Sequence, residues 1–252
     1  MSAARTAIVT GAGSRRGIGR ATAHRLAQAG WQIAVLDVDA SGAERTAEEI
    51  AGEYGCTALG LRADIADGAA VDTAIARVES SMPPVGALVN NAGITSPTPF
   101  LEADTAEWGR IFDVNVTGTY LVTRRVVPGM VERRFGRVVN VSSVSAQRGG
   151  GLFGGVAYSA AKAALLGFTK ALARELGAAG VTVNAVAPSL IDTDITAGRL
   201  SEQRKARLIE DVPAGRIGTV ADVAAVIGFL CGDDASYVTG AVYDVNGGSH
   251  LH

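Results

Sequence analysis

Residues 6–19 read TAIVTGAGSRRGIG, and this stretch decides the fold. The first five residues form a short apolar run that ends at glycines, which is typical of a buried parallel strand. A helix is predicted from about residue 20 to residue 29. In a strand–turn–helix context, glycines let backbone N–H groups approach a pyrophosphate, and the helix N-terminus adds partial positive charge. The alternative is a plain strand–helix connection. We favour a dinucleotide site, which comprises Gly11, Ser14, Arg16, Gly17, Ile18 and Gly19.

Short apolar runs and amphipathic segments alternate along the rest of the chain. The later strands are predicted at 32–38, 57–62, 87–89, 137–141, 182–187 and 241–245. Helices are predicted at 43–54, from about 67, at 105–134 with a break near Pro128-Gly129, at 158–176 and at 219–230. No change in composition marks a linker. The pattern predicts one α/β domain over residues 1–252, built on a doubly wound parallel sheet of about seven strands with helices on both faces.

Composition argues against several classes of protein. The 252 residues carry a net charge of −2 with the signs interspersed, which gives no electrostatic case for nucleic acid. No apolar run approaches the ~18 residues of a membrane span, and the first strand begins too early to leave room for a signal peptide. Cys56 and Cys231 are far apart, and two of the three histidines lie at the extreme C-terminus, so we expect no metal site. We expect a cytoplasmic protein without membrane partners.

Asp37 bears on the choice of dinucleotide. It ends the second predicted strand, where an acidic side chain meets the adenosine ribose. A carboxylate there binds the 2′-hydroxyl of NAD and repels the 2′-phosphate of NADP. Arg15 and Arg16 complicate this interpretation, because a guanidinium in the turn pairs equally well with a 2′-phosphate or with Asp37. The remaining alternative is that Asp37 caps the next helix. We favour NAD over NADP.

Other polar residues also follow predicted strands. Asp64 and Ile65 follow the third strand, where Asp64 suits the adenine amino group or a helix cap near residue 67. Asn91, Ala92 and Gly93 follow the fourth strand, in a loop where amides bind backbone on both sides. Ligands of such sheets bind beyond the carboxyl ends of the strands. The further positions assigned to this edge are Ser143 and Pro188.

Tyr158 and Lys162 stand four residues apart on one face of a predicted helix. A nearby ammonium favours the phenolate, so Lys162 is expected to lower the pKa of Tyr158 toward the working range. The alternative is that both are surface residues of an ordinary helix and have no chemical role. Asn115 lies in an apolar stripe with Trp108 and Tyr120, and a buried asparagine there must find partners.

Together these residues resemble the short-chain dehydrogenase/reductase family in its compact form of about 250 residues. The resemblance covers nearly the whole chain, from Thr10-Gly11 to Gly247-Gly248. It implies a Rossmann-type fold and an NAD(P)-dependent oxidoreductase that interconverts a secondary alcohol and a ketone. It also implies a homotetramer, with which small residues on the outer faces of two helices agree.

The resemblance assigns roles to individual residues. Tyr158 resembles the general acid/base and Ser143 the residue that orients the substrate oxygen. Lys162 resembles the residue that holds the nicotinamide ribose, and Asn115 the one that keeps a water in the proton relay. Ile191 and Thr193 resemble the residues beside the carboxamide. The chain departs from the family in three places: five residues separate Gly11 from Gly17 instead of three, the Ser143–Tyr158 interval is long, and Ser189 replaces a glycine.

Three functions are compatible with these residues. The preferred one is an NAD-dependent alcohol dehydrogenase or carbonyl reductase. An NADPH-dependent 3-oxoacyl-carrier-protein reductase is the rival of the same class, and a non-catalytic dinucleotide sensor is the rival of another class. A substrate lid is predicted at about 190–213. Gln147, Arg148 and Arg199 suit an anionic substrate, whereas apolar residues in the same loops suit a partly apolar one.

Overall fold

A computed structural model describes residues 4–151, 154–194 and 202–251. Its centre is a seven-stranded, wholly parallel sheet in the order β3-β2-β1-β4-β5-β6-β7. The strands are β1 (Thr6–Thr10), β2 (Gln32–Asp37), β3 (Ala58–Arg62), β4 (Val85–Asn90), β5 (Gly136–Val141), β6 (Val181–Pro188) and β7 (Val242–Val245). The predicted fold class is therefore confirmed. Strand bounds differ from the predicted ones by a residue or two, and most at β4.

Helices cover both faces of the sheet. They are α1 (Ile18–Gln28), α2 (Ala40–Tyr54), α3 (Gly68–Ser81), α4 (Thr105–Phe112), α5 (Thr119–Glu132), α6 (Ser145–Arg148), α7 (Val156–Leu176), α8 (Glu202–Glu210) and α9 (Val220–Cys231). Side chains of α1, α2 and α9 enter one apolar core, and those of α3, α5 and α7 enter the core on the opposite face. The sheet is thus buried on both sides, which explains the continuous apolar runs of its strands.

The predicted break near Pro128-Gly129 is wrong. Helix α5 passes through Pro128, and the irregularity is a π turn at Asp113–Gly118 between α4 and α5. The side-chain amide of Asn115 donates to the backbone oxygen of Ile111 (2.9 Å). The Thr119 hydroxyl donates to the backbone oxygen of Asn115 (2.9 Å). These bonds satisfy carbonyl groups that a π turn draws out of the regular helical pattern.

The apolar stripe predicted around Asn115 is also partly wrong. Trp108 and Tyr120 are 43% and 42% exposed, although Ile111 is fully buried. A π turn inserts one extra residue, which rotates the stripe before it relative to the stripe after it. Trp108 instead stacks on Phe112, with ring centroids 4.7 Å apart.

Buried polar side chains connect α5 to α7 through the sheet. Asn90 at the end of β4 donates to Thr123 of α5 and to Asn140 of β5, both at 2.9 Å. Asn140 in turn donates to Thr169 of α7, also at 2.9 Å. Because buried polar groups are costly unless paired, this chain of bonds fixes the two helices relative to the central strands.

Among the residues that the structure describes, no helix is long and apolar enough to cross a membrane. The same residues contain no cluster of three or more potential metal-ligating side chains. Residues 195–201 of the predicted lid lie outside the described residues, so the lid stays a prediction. The later part of this segment forms α8.

Candidate active site

A cleft of about 680 Å³ runs along the carboxyl edge of the sheet. Most of the residues assigned to a cofactor or to catalysis line it. These are Gly11, Ser14, Gly17, Ile18, Asp37, Asp64, Ile65, Asn91, Ala92, Gly93, Ser143, Tyr158, Lys162, Pro188, Ile191 and Thr193. Three assigned residues are not in the lining: Gly19 and Asn115 are buried, and Arg16 is exposed.

Close packing explains the glycines of the turn after β1. Gly11 has a φ of +65°, and a Cβ atom on it would lie 2.6 Å from the Cα atom of Ala92. A Cβ atom on Gly19 would collide with the carbonyl oxygen of Gly11 and with the side chain of Asn91. Asn91 itself donates to the carbonyl oxygens of Thr10 (2.9 Å) and Gly11 (2.8 Å). Side chains are excluded here because the ends of β1 and β4 touch.

Asp37 is held by backbone N–H groups. Its carboxylate accepts from Gly13 at 2.7 Å and from Asp39 at 3.0 Å, which keeps it beside the glycine turn. The alternatives of a bond to Arg16 and of a helix cap are both wrong. Arg16 pairs with Asp192 at 2.6 Å, and Asp39 occupies the N-cap position of α2.

Asp64 does not cap α3 either. Its carboxylate accepts from the N–H of Ala66 (2.9 Å), whereas Asp67 caps the helix by accepting from Ala69 (2.9 Å) and Ala70 (3.4 Å). Asp64 therefore remains at the lining of the cleft, where the sequence placed it.

Ser143 and Tyr158 meet on the wall of the cleft. A hydrogen bond with Ser143 lowers the pKa of Tyr158, but burial has the larger effect, and the pKa of the phenol is raised overall. The expected lowering by Lys162 is thus absent. The N–H of Ser145 donates to Ser143 Oγ at 3.1 Å. Because this bond uses an acceptor position of the hydroxyl, the Ser143 proton is directed elsewhere, toward Tyr158 or the cleft.

Lys162 is a buried cation, 4% exposed. Its Nζ donates to the carbonyl oxygen of Val141 at 2.8 Å and lies 5.7 Å from the centroid of the Tyr158 ring. Burial lowers the pKa of Lys162 to about 8. The Ser142 hydroxyl donates to the backbone oxygen of Lys162 at 2.8 Å and so ties α7 to the end of β5.

Asn115 is fully buried behind the cleft. Its Nδ2 donates to the carbonyl oxygens of Ile94 and Ile111, both at 2.9 Å. Its Oδ1 has no partner within the described part of the chain. A Cβ atom on Gly93 would lie 2.5 Å from that oxygen and 3.1 Å from Lys162 Nζ. Only glycine therefore leaves the oxygen and the ammonium facing a common space, where a polar atom between them would satisfy both.

Sequence reasoning missed three contributors. Ser142 directly follows β5, and its hydroxyl bonds to α7. Ser145 bonds to Ser143 and Asp194 bonds to Ser14, and both partners are predicted site residues. The sequence does contain a sign of Asp192 and Asp194, because two acidic residues after β6 complement the charge of the two arginines in the long glycine turn.

The lining fits a dinucleotide. The glycine turn brings backbone close to the cleft, and α1 begins at Ile18 with no acidic residue in its first turn, so its N-terminus favours an anion. Near the other end of the cleft, beside Lys162, the Asn115 Oδ1 atom has no hydrogen-bond partner among the described residues.

Comparisons with known proteins agree with this geometry. A family model described as enoyl-(acyl carrier protein) reductase matches residues 11–250. An uncharacterized short-chain type dehydrogenase/reductase, y4mP of Sinorhizobium fredii, is 45% identical over 98% of both chains. The chain belongs to the short-chain dehydrogenase/reductase family. It is therefore an NAD(P)-dependent oxidoreductase.

Two further relatives of this family member carry more specific names. The 3-oxoacyl-[acyl-carrier-protein] reductase FabG of Aquifex aeolicus is 44% identical over 97% of this chain and 96% of its own. A crystal structure of a 3-oxoacyl-[acyl-carrier protein] reductase with bound NAD from Brucella melitensis superimposes with a TM-score of 0.90 at 35% identity. That superposition covers 98% of this chain and 92% of the other.

Burial of Lys162 predicts a pH-dependent stability effect. Lys162→Met should raise the free energy of unfolding at pH 7 by about 1–3 kcal/mol, since it removes a desolvated ammonium. The folded pKa of about 8 lies below the unfolded value of roughly 10.4, so the unfolded state binds more protons between these values. Wild-type stability then rises with pH across that window, and the gain from the substitution shrinks.

Urea unfolding at pH 7 and pH 10 measures both effects. Lys170→Met, which changes an exposed lysine of the same helix, should alter stability by less than about 0.5 kcal/mol at either pH. Equal effects of the two substitutions would contradict the buried-cation argument.

Proposed function

We propose that the protein interconverts a secondary alcohol and a ketone, with NAD(H) as its preferred cofactor. The observation that carries this proposal is the meeting of Ser143, Tyr158 and Lys162 on one wall of the cleft, with Asn115 behind them. Separate parts of the fold supply them, namely the end of β5, helix α7 and the π turn. A bound nicotinamide supplies or accepts the hydride at the carbon of the reacting group.

Ser143 and Tyr158 would hold the substrate oxygen. With one acceptor position of Ser143 Oγ taken by the Ser145 N–H, the Ser143 proton is available to a carbonyl oxygen. The Tyr158 hydroxyl gives its proton to that oxygen during reduction and takes it back during oxidation. Oxidation needs the deprotonated phenol, whose pKa is raised by burial, so its rate should increase with pH.

Lys162 and Asn115 would complete the proton path. The Lys162 ammonium has its pKa lowered to about 8, so near neutral pH it can pass a proton on. The free Oδ1 of Asn115 would accept from a water placed between it and Lys162, and Asn115 is itself fixed by Ile94 and Ile111. This arrangement would return a proton to Tyr158 without opening the cleft.

Asp37 supports NAD over NADP. Two backbone N–H groups hold its carboxylate at the cleft, so the charge cannot turn away from a ribose placed there. A 2′-phosphate would meet this negative charge directly. Asp64 and Ile65 would line the adenine end, and Pro188, Ile191 and Thr193 the nicotinamide end. A relative crystallised with NAD is compatible with this choice.

A 3-oxoacyl thioester is the second candidate substrate. Relatives that are 37–44% identical are named 3-oxoacyl-[acyl-carrier-protein] reductases. Arg148 lines the cleft and is exposed, and could hold an anionic carrier group. Gln147 is already engaged, since it donates to Asp244 at 2.7 Å, and Arg199 lies outside the described residues.

Replacing the phenol tests the chemistry. Tyr158→Phe should lower kcat by roughly 10²–10⁴-fold, the contribution of general acid–base catalysis, while NADH still binds in calorimetry. Tyr120→Phe is the control, because its hydroxyl contacts Arg124 outside the cleft. A loss below tenfold with chemistry rate-limiting would remove Tyr158 from this role. Cofactor binding without turnover in the wild type would favour a dinucleotide sensor.

Cofactor choice is tested at Asp37. Wild-type kcat/KM should favour NADH over NADPH by at least about tenfold, and Asp37→Ala should shift that ratio toward NADPH by a similar factor. Asp64→Asn should weaken both cofactors alike, since their adenines are identical. Rates with secondary alcohols, polyols and 3-oxoacyl thioesters identify the substrate class. A wild-type preference for NADPH would contradict the NAD assignment.

We also propose a homotetramer. Ala163, Gly167 and Ala171 form an exposed face of small residues on α7, which permits close helix packing between subunits. Light scattering at micromolar concentration should give about four times the chain mass, and a monomer there rules the assembly out.

A further inference from the structure

The glycine turn is bonded to the segment that follows β6. Ser14 Oγ donates to Asp194 Oδ2 at 2.6 Å, and the N–H of Arg16 donates to the same oxygen at 3.0 Å. The N–H of Asp194 donates back to the carbonyl oxygen of Arg16 at 3.3 Å. A separate ion pair joins the Arg16 guanidinium to Asp192. One carboxylate therefore takes two donors of the turn, one from a side chain and one from the backbone.

Those donors lie where an anion is favoured. Ser14, Gly17 and Ile18 all line the cleft, and α1 begins at Ile18 with no acidic residue in its first turn. Asp194 also lines the cleft. Its hydrogen bonds to Ser14 and to the Arg16 backbone lower the pKa of its carboxyl group, so it is ionised at neutral pH. The protein thus places its own negative charge against the turn assigned to the dinucleotide phosphates.

We propose that Asp194 competes with the phosphate groups of the dinucleotide for the donors of this turn and thereby sets cofactor affinity. The inference rests on the proposed assignment of the glycine turn to the cofactor. A carboxylate and a phosphate that approach the same N–H and hydroxyl groups exclude and repel each other. Cofactor entry must displace Asp194, and Asp194 favours cofactor exit by taking the donors back. Such exit steps limit turnover in many enzymes.

Asp192 provides a matched control. It lies two residues earlier on the same segment and carries the same charge, but its described side-chain contact is with the Arg16 side chain and not with the donors of the turn. Asp194→Asn removes the charge while keeping an oxygen that can accept, and Asp194→Ala removes the acceptor as well.

Calorimetric titration with three probes separates the contributions. NADH carries the pyrophosphate and the nicotinamide, ADP-ribose carries the pyrophosphate without the nicotinamide, and adenosine carries neither. Asp194→Asn and Asp194→Ala should bind NADH and ADP-ribose about three- to tenfold more tightly than wild type at low salt. This gain in affinity should shrink at high salt, and the affinity for adenosine should not change. Asp192→Asn should alter the affinity for ADP-ribose less than twofold.

Several results would overturn the inference. Unchanged ADP-ribose binding in both Asp194 variants would mean that Asp194 does not compete with the phosphates, and weaker binding would mean that it holds the turn in its binding shape. Tightening for NADH alone would place the effect at the nicotinamide end, and tightening for adenosine would make it independent of phosphate. A wild-type protein that binds neither NADH nor ADP-ribose would instead defeat the cofactor assignment itself.

Discussion

The site depends on burying one ammonium group in a wall built from the sheet. Lys162 is buried with a single described hydrogen bond, from Nζ to the Val141 carbonyl oxygen. Desolvation of such a group costs several kcal/mol unless bonds compensate, and the lowered pKa records the part that is not compensated. The neighbouring structure serves to hold this cation in place. Ser142 ties α7 to β5, and glycine at position 93 leaves the ammonium room beside Asn115.

Local signals made much of the fold predictable. The alternation of apolar runs with amphipathic helices indicated a parallel sheet buried on both faces, and the ends of its strands placed the cleft. Tyr158 and Lys162 could be paired because helical spacing puts them one turn apart. Gly11 could be placed because it directly follows β1, and Asp37 because it ends β2.

What escaped prediction depends on local bonds that leave no sequence pattern, on burial, and on contacts between distant parts of the chain. The π turn is stabilised by Asn115 and Thr119, whose side chains replace regular helical bonds, and no local pattern distinguishes that from an ordinary helix. The exposure of Trp108 and Tyr120 follows from the extra residue of this turn. The pKa of Tyr158 was misjudged because sequence spacing reports the nearby charge but not the burial, and burial dominates. The contact of Ser14 with Asp194 joins residues 180 positions apart.

The departures in loop length from the family pattern leave this geometry intact for a structural reason. Ser143 is positioned by the end of β5 and Tyr158 by α7, and those elements are fixed to each other through Ser142 and the Asn140–Thr169 bond. The long interval between them is therefore free to form α6 and a glycine-rich loop. That loop is anchored on its own, by Gly150 N–H to Ser159 (2.9 Å) and Gly155 N–H to Ser96 (2.6 Å). The extra residues thus belong to a loop that lines the cleft, while Ser143 and Tyr158 keep their places on the cleft wall.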